Sequence, residues 1–500
     1  MTEKPNDSSA EKGLEDTEKS IYARIHEAIL PNGELPASFS VQHHGPDEIA
    51  WADGAWDGVC CYHNQLETPD LTLMTQALRL AAANDFEQAE ALLPQIFPAG
   101  EHSMLAYIAD TLKWILAHHE ELDANHMYRF AWHLLLDARD KEAVKLALSI
   151  MELIPVESDE EVRQAVRELA ASDEFTLFAL FVVSNWKNSN EEIFRMAQRV
   201  RGWGRIHAVE RLAPATGAIR HWLLHEGIDN KVMPEYSALT VAEKIDLLAV
   251  VQTVDRNSED FIAAGKILQA LIESDGGPVA GIEEYEQEEE LVRSYIDKAR
   301  LAMPNENIYR VLRTVKLHYE DDENEELHAL AKEAANVLSS ASCRRYMSRK
   351  AEQGECLRLA SQLGIDCSKE IKAAFRKDWR KHHAMLQFLE NPDDLAEMTD
   401  FFLSAVRDED LLKPLNTLVG GTGNHVHELL LGKLSGYSPQ EERLLLLGLR
   451  TPVVRTRLTT LKRLRIWKEN GKFTDALREA VDAWKNSETE AKMRFEYQDL

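Results

Sequence analysis

From about Leu71 to Trp484 the chain repeats one device: a short run with apolar residues at helical spacing, closed by a tight polar turn. Leu71, Met74, Leu78 and Ala81 share one helical face. Asn84-Asp85 then makes a turn, and Phe86, Ala89, Leu92 and Leu93 restart the same face. A helix this short cannot shield an apolar stripe alone, so consecutive pairs must stack side by side. The pattern predicts an all-α fold, an α-solenoid of stacked helical hairpins.

Two local signatures agree with that reading. Thr451-Pro452-Val453-Val454-Arg455 opens a helix that continues through Leu458, Leu461 and Leu464, which looks like the inner helix of a HEAT repeat. The turn Asn84-Asp85-Phe86 with Ala89 looks instead like a tetratricopeptide-type pair. The periodicity places helices at 70–83, 86–97, 103–120, 125–138, 141–153, 159–171, 175–186 and 190–201. Between them, Leu153-Ile154-Pro155 is a stop signal and Ser158-Asp159-Glu160-Glu161 a good N-cap.

Five hundred residues exceed one ordinary core and imply two or three domains or one extended array. With only 16 Pro and 23 Gly, large disordered or all-β regions are not expected. The balance of 57 basic to 85 acidic residues gives a net charge of -28. A chain that acidic repels nucleic acid and anionic membranes as a whole, so neither is an expected partner. No stretch approaches the roughly 18 consecutive apolar residues needed to span a bilayer; the run Phe175–Val183 is far too short. Cys60, Cys61, Cys343, Cys356 and Cys367 show no disulfide framework, and residues 1–19 lack the apolar core of a signal peptide. The expected location is cytoplasmic.

The domain organisation follows from shifts in composition. Residues 1–20 carry almost nothing to bury and read as a disordered tail. Residues 21–68 read as an N-terminal cap with a short β-hairpin: Ile49-Ala50-Trp51, then Asp53-Gly54 and Asp57-Gly58, then the β-prone run Val59–Tyr62. A helical-repeat domain is expected over 69–275. An acidic linker over 276–290 follows Gly276-Gly277-Pro278, with a second helical-repeat domain over 291–500.

The densest polar cluster is Arg199, Arg201, Gly202, Trp203, Gly204, Arg205, His207, Glu210 and Arg211. Glycines on both sides free the Trp203 ring to lie flat against something. Arg199, Arg201 and Arg211 are candidates for gripping an anion or partner, because each guanidinium is a bidentate fork. The competing reading is a packed turn whose arginines pair with acids such as Glu191 and Glu192. His221 and His225 share a helical face at metal-ligand spacing, but no third ligand is evident in the sequence, and no metal is expected. His43, His44, Cys60, Cys61 and His63 are metal-compatible residue types without the Cys-x-x-Cys knuckle, and in a strand Cys60 and Cys61 would point to opposite faces. Gly420-Gly421-Thr422-Gly423 lacks the preceding strand and the lysine of a phosphate loop and reads as a helix C-cap. The basic runs Arg376, Lys377, Arg380, Lys381 and Arg455, Arg457, Lys462, Arg463, Arg465, Lys468 contain few aromatics and are expected to answer acidic surface elsewhere.

One resemblance names a chemistry. The stretch Arg201–Leu212, continuing to Asp229-Asn230-Lys231-Val232-Met233-Pro234, with Trp51–Gly58 and Tyr62-His63, resembles a bacterial family labelled limonene hydroxylase. The match covers roughly the first half of the chain. It implies oxidation of a small monoterpene substrate, limonene, to perillyl alcohol with NAD(P)H and oxygen, alongside a terpene-alcohol dehydrogenase activity. Trp203, Arg205, His207 and Glu210 are then the candidate pocket segment. Allylic hydroxylation needs an activated oxygen, hence haem, iron, flavin or copper, and no motif for these or for a dinucleotide fold is readable in the chain. The alternative expectation is a non-catalytic scaffold whose concave face holds a peptide or protein partner.

Overall fold

The computed structural model describes residues 19–42, 51–63, 69–98, 103–274, 276–277, 279–412, 420–434 and 436–500. Among them there are 29 α-helices and no β-strand. They fall into two compact units, Met1–Met303 with Leu317–Ala331, and Pro304–Lys316 with Lys332–Leu500. No helix among the described residues is long and apolar enough to cross a membrane.

The first unit begins with α1 (Ile21–Ala28), α2 (Ala55–His63), α3 (Thr72–Ala82), α4 (Phe86–Ile96), α5 (Met104–Ala117), α6 (Ala124–Asp137), α7 (Lys141–Glu152) and α8 (Glu160–Leu169). It continues with α9 (Thr176–Ser184), α10 (Ser189–Arg199), α11 (Trp203–Arg211), α12 (Gly217–Glu226), α13 (Glu235–Ile245), α14 (Leu247–Thr253), α15 (Glu259–Ser274) and α16 (Glu288–Leu301). Over 70–201 each expected helix end lies within three residues of the observed one. The caps explain this accuracy. Asp85, Ser103, Asp123, Asp140 and Asp159 each accept a backbone N–H in the first turn of the helix that follows. Asn84 takes a left-handed φ of 64° to close the α3–α4 turn.

Helices pack on neighbours one and two places along the chain, as in α6 on α7, α7 on α9, α11 on α13 and α13 on α15. The run Phe175–Val183 supplies α9, buried nearly all round, and every residue of α7 from Glu142 to Met151 is buried. The acidic stretch after Gly277 lies inside this unit. Ile282 and Tyr285 are buried there, and the Tyr285 hydroxyl accepts from Leu248 N at 3.2 Å.

The expected β-hairpin is not formed: Ala55–His63 is helical. Ala55, Val59 and Tyr62 all pack in one cluster with Trp203, with Gly58 against the same ring. Positions 55, 58, 59 and 62 have helical spacing, so tertiary contact outweighs the strand propensity of the Val59–Tyr62 run. Cys60 and Cys61 are therefore neighbours on a helix, the first buried and the second exposed. Residues 1–18 of the expected tail, with His43, His44, Ile49 and Ala50, lie outside the described residues. Ser20 is already the N-cap of α1.

In the second unit the helix Thr422–Lys433 packs on Val454–Glu469. The Asn424 amide donates to Thr451 Oγ1 at 3.0 Å, and a ring nitrogen of His427 meets Leu444 O at 2.8 Å. Gly421 is the N-cap of Thr422–Lys433 rather than a C-cap. Gly423 is required by close approach, since a Cβ there would meet Asp410 O at 2.6 Å. The basic runs find acids: Arg380 with Asp410 at 2.8 Å, Arg455 with Glu428 at 3.1 Å, Arg457 with Glu488 at 2.8 Å, Arg465 with Asp499 at 3.3 Å, Arg376 with Glu397 and Arg463 with Glu441.

One polar knot lies inside the first unit. Lys145, fully buried on α7, reaches Asp57 at 2.6 Å, Glu174 at 2.7 Å and Glu142 at 3.1 Å. Lys141 meets Glu174 from the rim at 2.9 Å. The carboxylates are themselves anchored. Glu174 accepts Gly54 N at 2.8 Å, Glu142 accepts Met104 N at 2.6 Å, and Asp57 accepts the Ser103 hydroxyl. Burial pushes the Glu174 carboxyl up, but Lys145 and Lys141 overcome it and hold it at about 2. Burial pulls Lys145 down, yet its three acids raise it well above its ordinary value. Lys145→Met would leave three carboxylates sharing a buried site with no buried cation. We expect it to cost on the order of 3–5 kcal/mol, read as a lowered denaturation midpoint.

Candidate functional site

The turn between α10 and α11 organises the polar cluster picked out by the sequence. Gly202 is the N-cap of α11 but has no side chain to cap with. The missing acceptor comes from Asp173, in the turn before α9. Its Oδ1 takes Gly202 N at 3.0 Å and Gly204 N at 2.7 Å. The glycines permit that approach: a Cβ on Gly204 would lie 2.4 Å from Thr176 Oγ1 and 2.8 Å from Asp173 Oδ1. Burial, with the Asp53 charge nearby, pushes the Asp173 carboxyl from 3.8 to about 6, against the lowering effect of its backbone donors.

Trp203, the first residue of α11, is buried and packs against α2. A Cβ on Gly58 would stand 2.2 Å from both Cδ2 and Cε3 of the indole, so only glycine fits beneath the ring. Tyr236 meets Trp203 edge-on at 4.8 Å and Tyr62 at 5.1 Å, and a ring nitrogen of His63 meets the Tyr236 hydroxyl at 2.6 Å. His207 stacks on Tyr62 at 6.2 Å. Its Nδ1 is 3.6 Å from Glu210 Oε2, and among the described residues its buried Nε2 has no hydrogen-bond partner. The Tyr62 hydroxyl donates to Glu210 Oε1. Burial raises the Glu210 carboxyl, but hydrogen bonds from His207 and Tyr62 outweigh it and hold it below its ordinary value.

Arg205 has a structural position. Its side chain is wholly buried, with Nε donating to the carbonyls of Val200 at 2.9 Å and Ala197 at 3.1 Å, and Nη1 to Asp229 O at 2.7 Å. It satisfies the end of α10 and stacks over Trp222 at 5.4 Å. Arg211 sits over Phe181 at 5.2 Å and beside Glu210 at 3.4 Å. The arginines of this cluster do not take Glu191 and Glu192, which pair with Arg195, Glu192 also with Arg167. Glu34 is the partner of Arg201, at 2.9 Å.

The predicted residues thus divide. Arg199, Arg201 and Trp203 line one open cleft of about 630 Å³, while Arg205 points into the interior and His207, Glu210 and Arg211 lie along α11. The other cleft walls include residues that sequence reasoning missed: Leu30, Glu34, Pro36 and Phe39 from the segment after α1, Asp53 and Asp173, and Lys231. Asp53 is occupied by Ser40, whose hydroxyl lies at 2.7 Å, and by Val41 N at 3.1 Å. Arg199 lies against Gly33, whose φ of 82° folds that segment back over the guanidinium. Among the described residues neither Arg199 nor Lys231 has an ion-pair partner, so the cleft offers positive charge beside an apolar wall. No spacing rule could find the wall, because Phe39 and Arg199 come to line one cleft only through the fold.

Two outcomes test this geometry. Gly58→Ala should cost about 1–3 kcal/mol by overpacking, and most of that loss should vanish in a Trp203→Leu background, measured as a double-mutant cycle in urea. For Asp173 the folded state holds its proton more tightly than the unfolded chain does. Its contribution is therefore complete below about 3.8 and is lost as pH rises through about 6. Asp173→Asn keeps an acceptor for Gly202 and Gly204, so the melting temperature of wild type minus variant should fall between those values and level off above them. No family model, curated protein or solved structure matches this chain.

Proposed function

We propose that the chain is a non-catalytic binding scaffold, an α-solenoid of stacked hairpins, whose first unit takes an acidic segment of a partner protein in the cleft beside Trp203. The observation that carries this reading is the charge of the cleft. In a chain with a net charge of -28, Arg199 and Lys231 have no ion-pair partner among the described residues and stand next to Leu30, Pro36 and Phe39, while the acids of the same cleft, Glu34, Asp53 and Asp173, are engaged by Arg201, a hydroxyl and backbone N–H groups. Guanidinium and ammonium groups beside an apolar wall suit a carboxylate flanked by apolar side chains. Helix packing one and two places along the chain supports the repeat architecture, and the cysteine usage supports a cytoplasmic setting.

Selection from a random peptide library on the full-length protein tests it. Peptides enriched in Asp and Glu next to apolar residues are expected. Arg199→Glu with Lys231→Glu should weaken each by at least about tenfold, which is ~1.4 kcal/mol, and added salt should weaken wild-type binding. A selection without acidic enrichment, or unchanged binding by the double variant, overturns the reading. The limonene hydroxylase resemblance supplies the competing proposal, an NAD(P)H-dependent oxidoreductase acting on a monoterpene. Limonene-dependent consumption of reduced nicotinamide by the purified protein would replace the scaffold with that enzyme.

A further inference from the structure

We infer that His221, His225 and Asp260 form a binding site for a divalent transition ion of the zinc type, joining α12 to α15. The two histidines stand one turn apart on α12, with ring centroids 4.4 Å from each other. The third ligand, absent from any local motif, arrives from the first turn of α15, which packs directly on α12. One ligand atom from each of the three residues falls within 4.8 Å of the other two. A tetrahedral zinc with bonds of about 2.0–2.1 Å holds its ligand atoms roughly 3.3 Å apart. Side-chain rotation alone closes that difference, since His221 is exposed and the other two are partly so.

The existing contact shows where the ion would go. A ring nitrogen of His225, Nε2, faces Asp260 Oδ1 at 2.7 Å with a proton between them. A cation placed there replaces that proton, neutralises the carboxylate, and takes the His221 ring as its third ligand. Two imidazoles with one carboxylate select zinc and its neighbours over magnesium or calcium, which prefer all-oxygen sites. With three protein ligands the fourth position is left to water. The cleft beside Trp203 shares no residue with this site, so the assignment stands apart from the scaffold reading.

The test uses the full-length protein, stripped with chelator and titrated with zinc sulfate at neutral pH against a chromophoric chelator, with melting temperature read in parallel. Wild type should bind one more equivalent than His221→Ala or Asp260→Ala, melt higher with zinc, and show visible cobalt d–d bands that both variants lose. His221 is exposed, so its variant keeps the fold, and an unchanged apo melting temperature checks this. Equal stoichiometry in wild type and His221→Ala overturns the site. Competition by magnesium at the concentration of zinc overturns the assigned ion class.

Discussion

The first unit is built around a buried cation. Lys145 has no exposure to water, and ionising it inside a protein is tolerable only because Asp57, Glu142 and Glu174 surround it. Those acids come from α2, from α7 itself and from the turn leading into α9. The same acids fix the chain beyond the ion pairs, since Glu174 takes Gly54 N and Glu142 takes Met104 N. An apolar core tolerates small slips between helices, whereas a four-member ionic knot has one register. That register sets α2 where Gly58 and Tyr62 meet Trp203, and hence fixes one side of the α10–α11 turn.

The all-α class was legible because it depends on local information: apolar spacing, Asp and Ser caps, and the left-handed Asn84. The N-terminal hairpin failed for the opposite reason. Two Asp-Gly pairs look like turns, yet Asp57 is there for Lys145 and Gly58 for the Trp203 ring, and both partners are far off in sequence. Gly421 failed similarly, because a glycine caps either end of a helix and the sequence does not say which. The polar cluster 199–211 was found, but its residues do different jobs. Arg205, the most deeply buried of them, holds three backbone carbonyls, whereas Arg199 faces the cleft. Spacing could not separate these roles, because the two arginines flank the same turn, one ending α10 and the other in the first turn of α11. A signal for the knot did exist in the lysine at 145, the one charged residue within the run Ala143–Met151.

The cleft and the α12–α15 cluster differ in how they meet charge. In the cleft Asp53 and Asp173 are held by hydroxyl and backbone donors and Glu34 by Arg201, while Arg199 and Lys231 have no ion-pair partner among the described residues. At His221, His225 and Asp260 one carboxylate faces two imidazoles, and the balance favours a positive ion. Both places are built on helices or on turns held by their own hydrogen bonds, so the backbone that carries these side chains is fixed by the fold.

The knot also restricts how this sequence can drift. Asp57 and Lys145 stand 88 positions apart, yet losing Lys145 alone would leave Asp57, Glu142 and Glu174 without a buried cation. Descendants of this chain should therefore change Lys145 and its three acids as a set, a covariation that no local pattern would reveal.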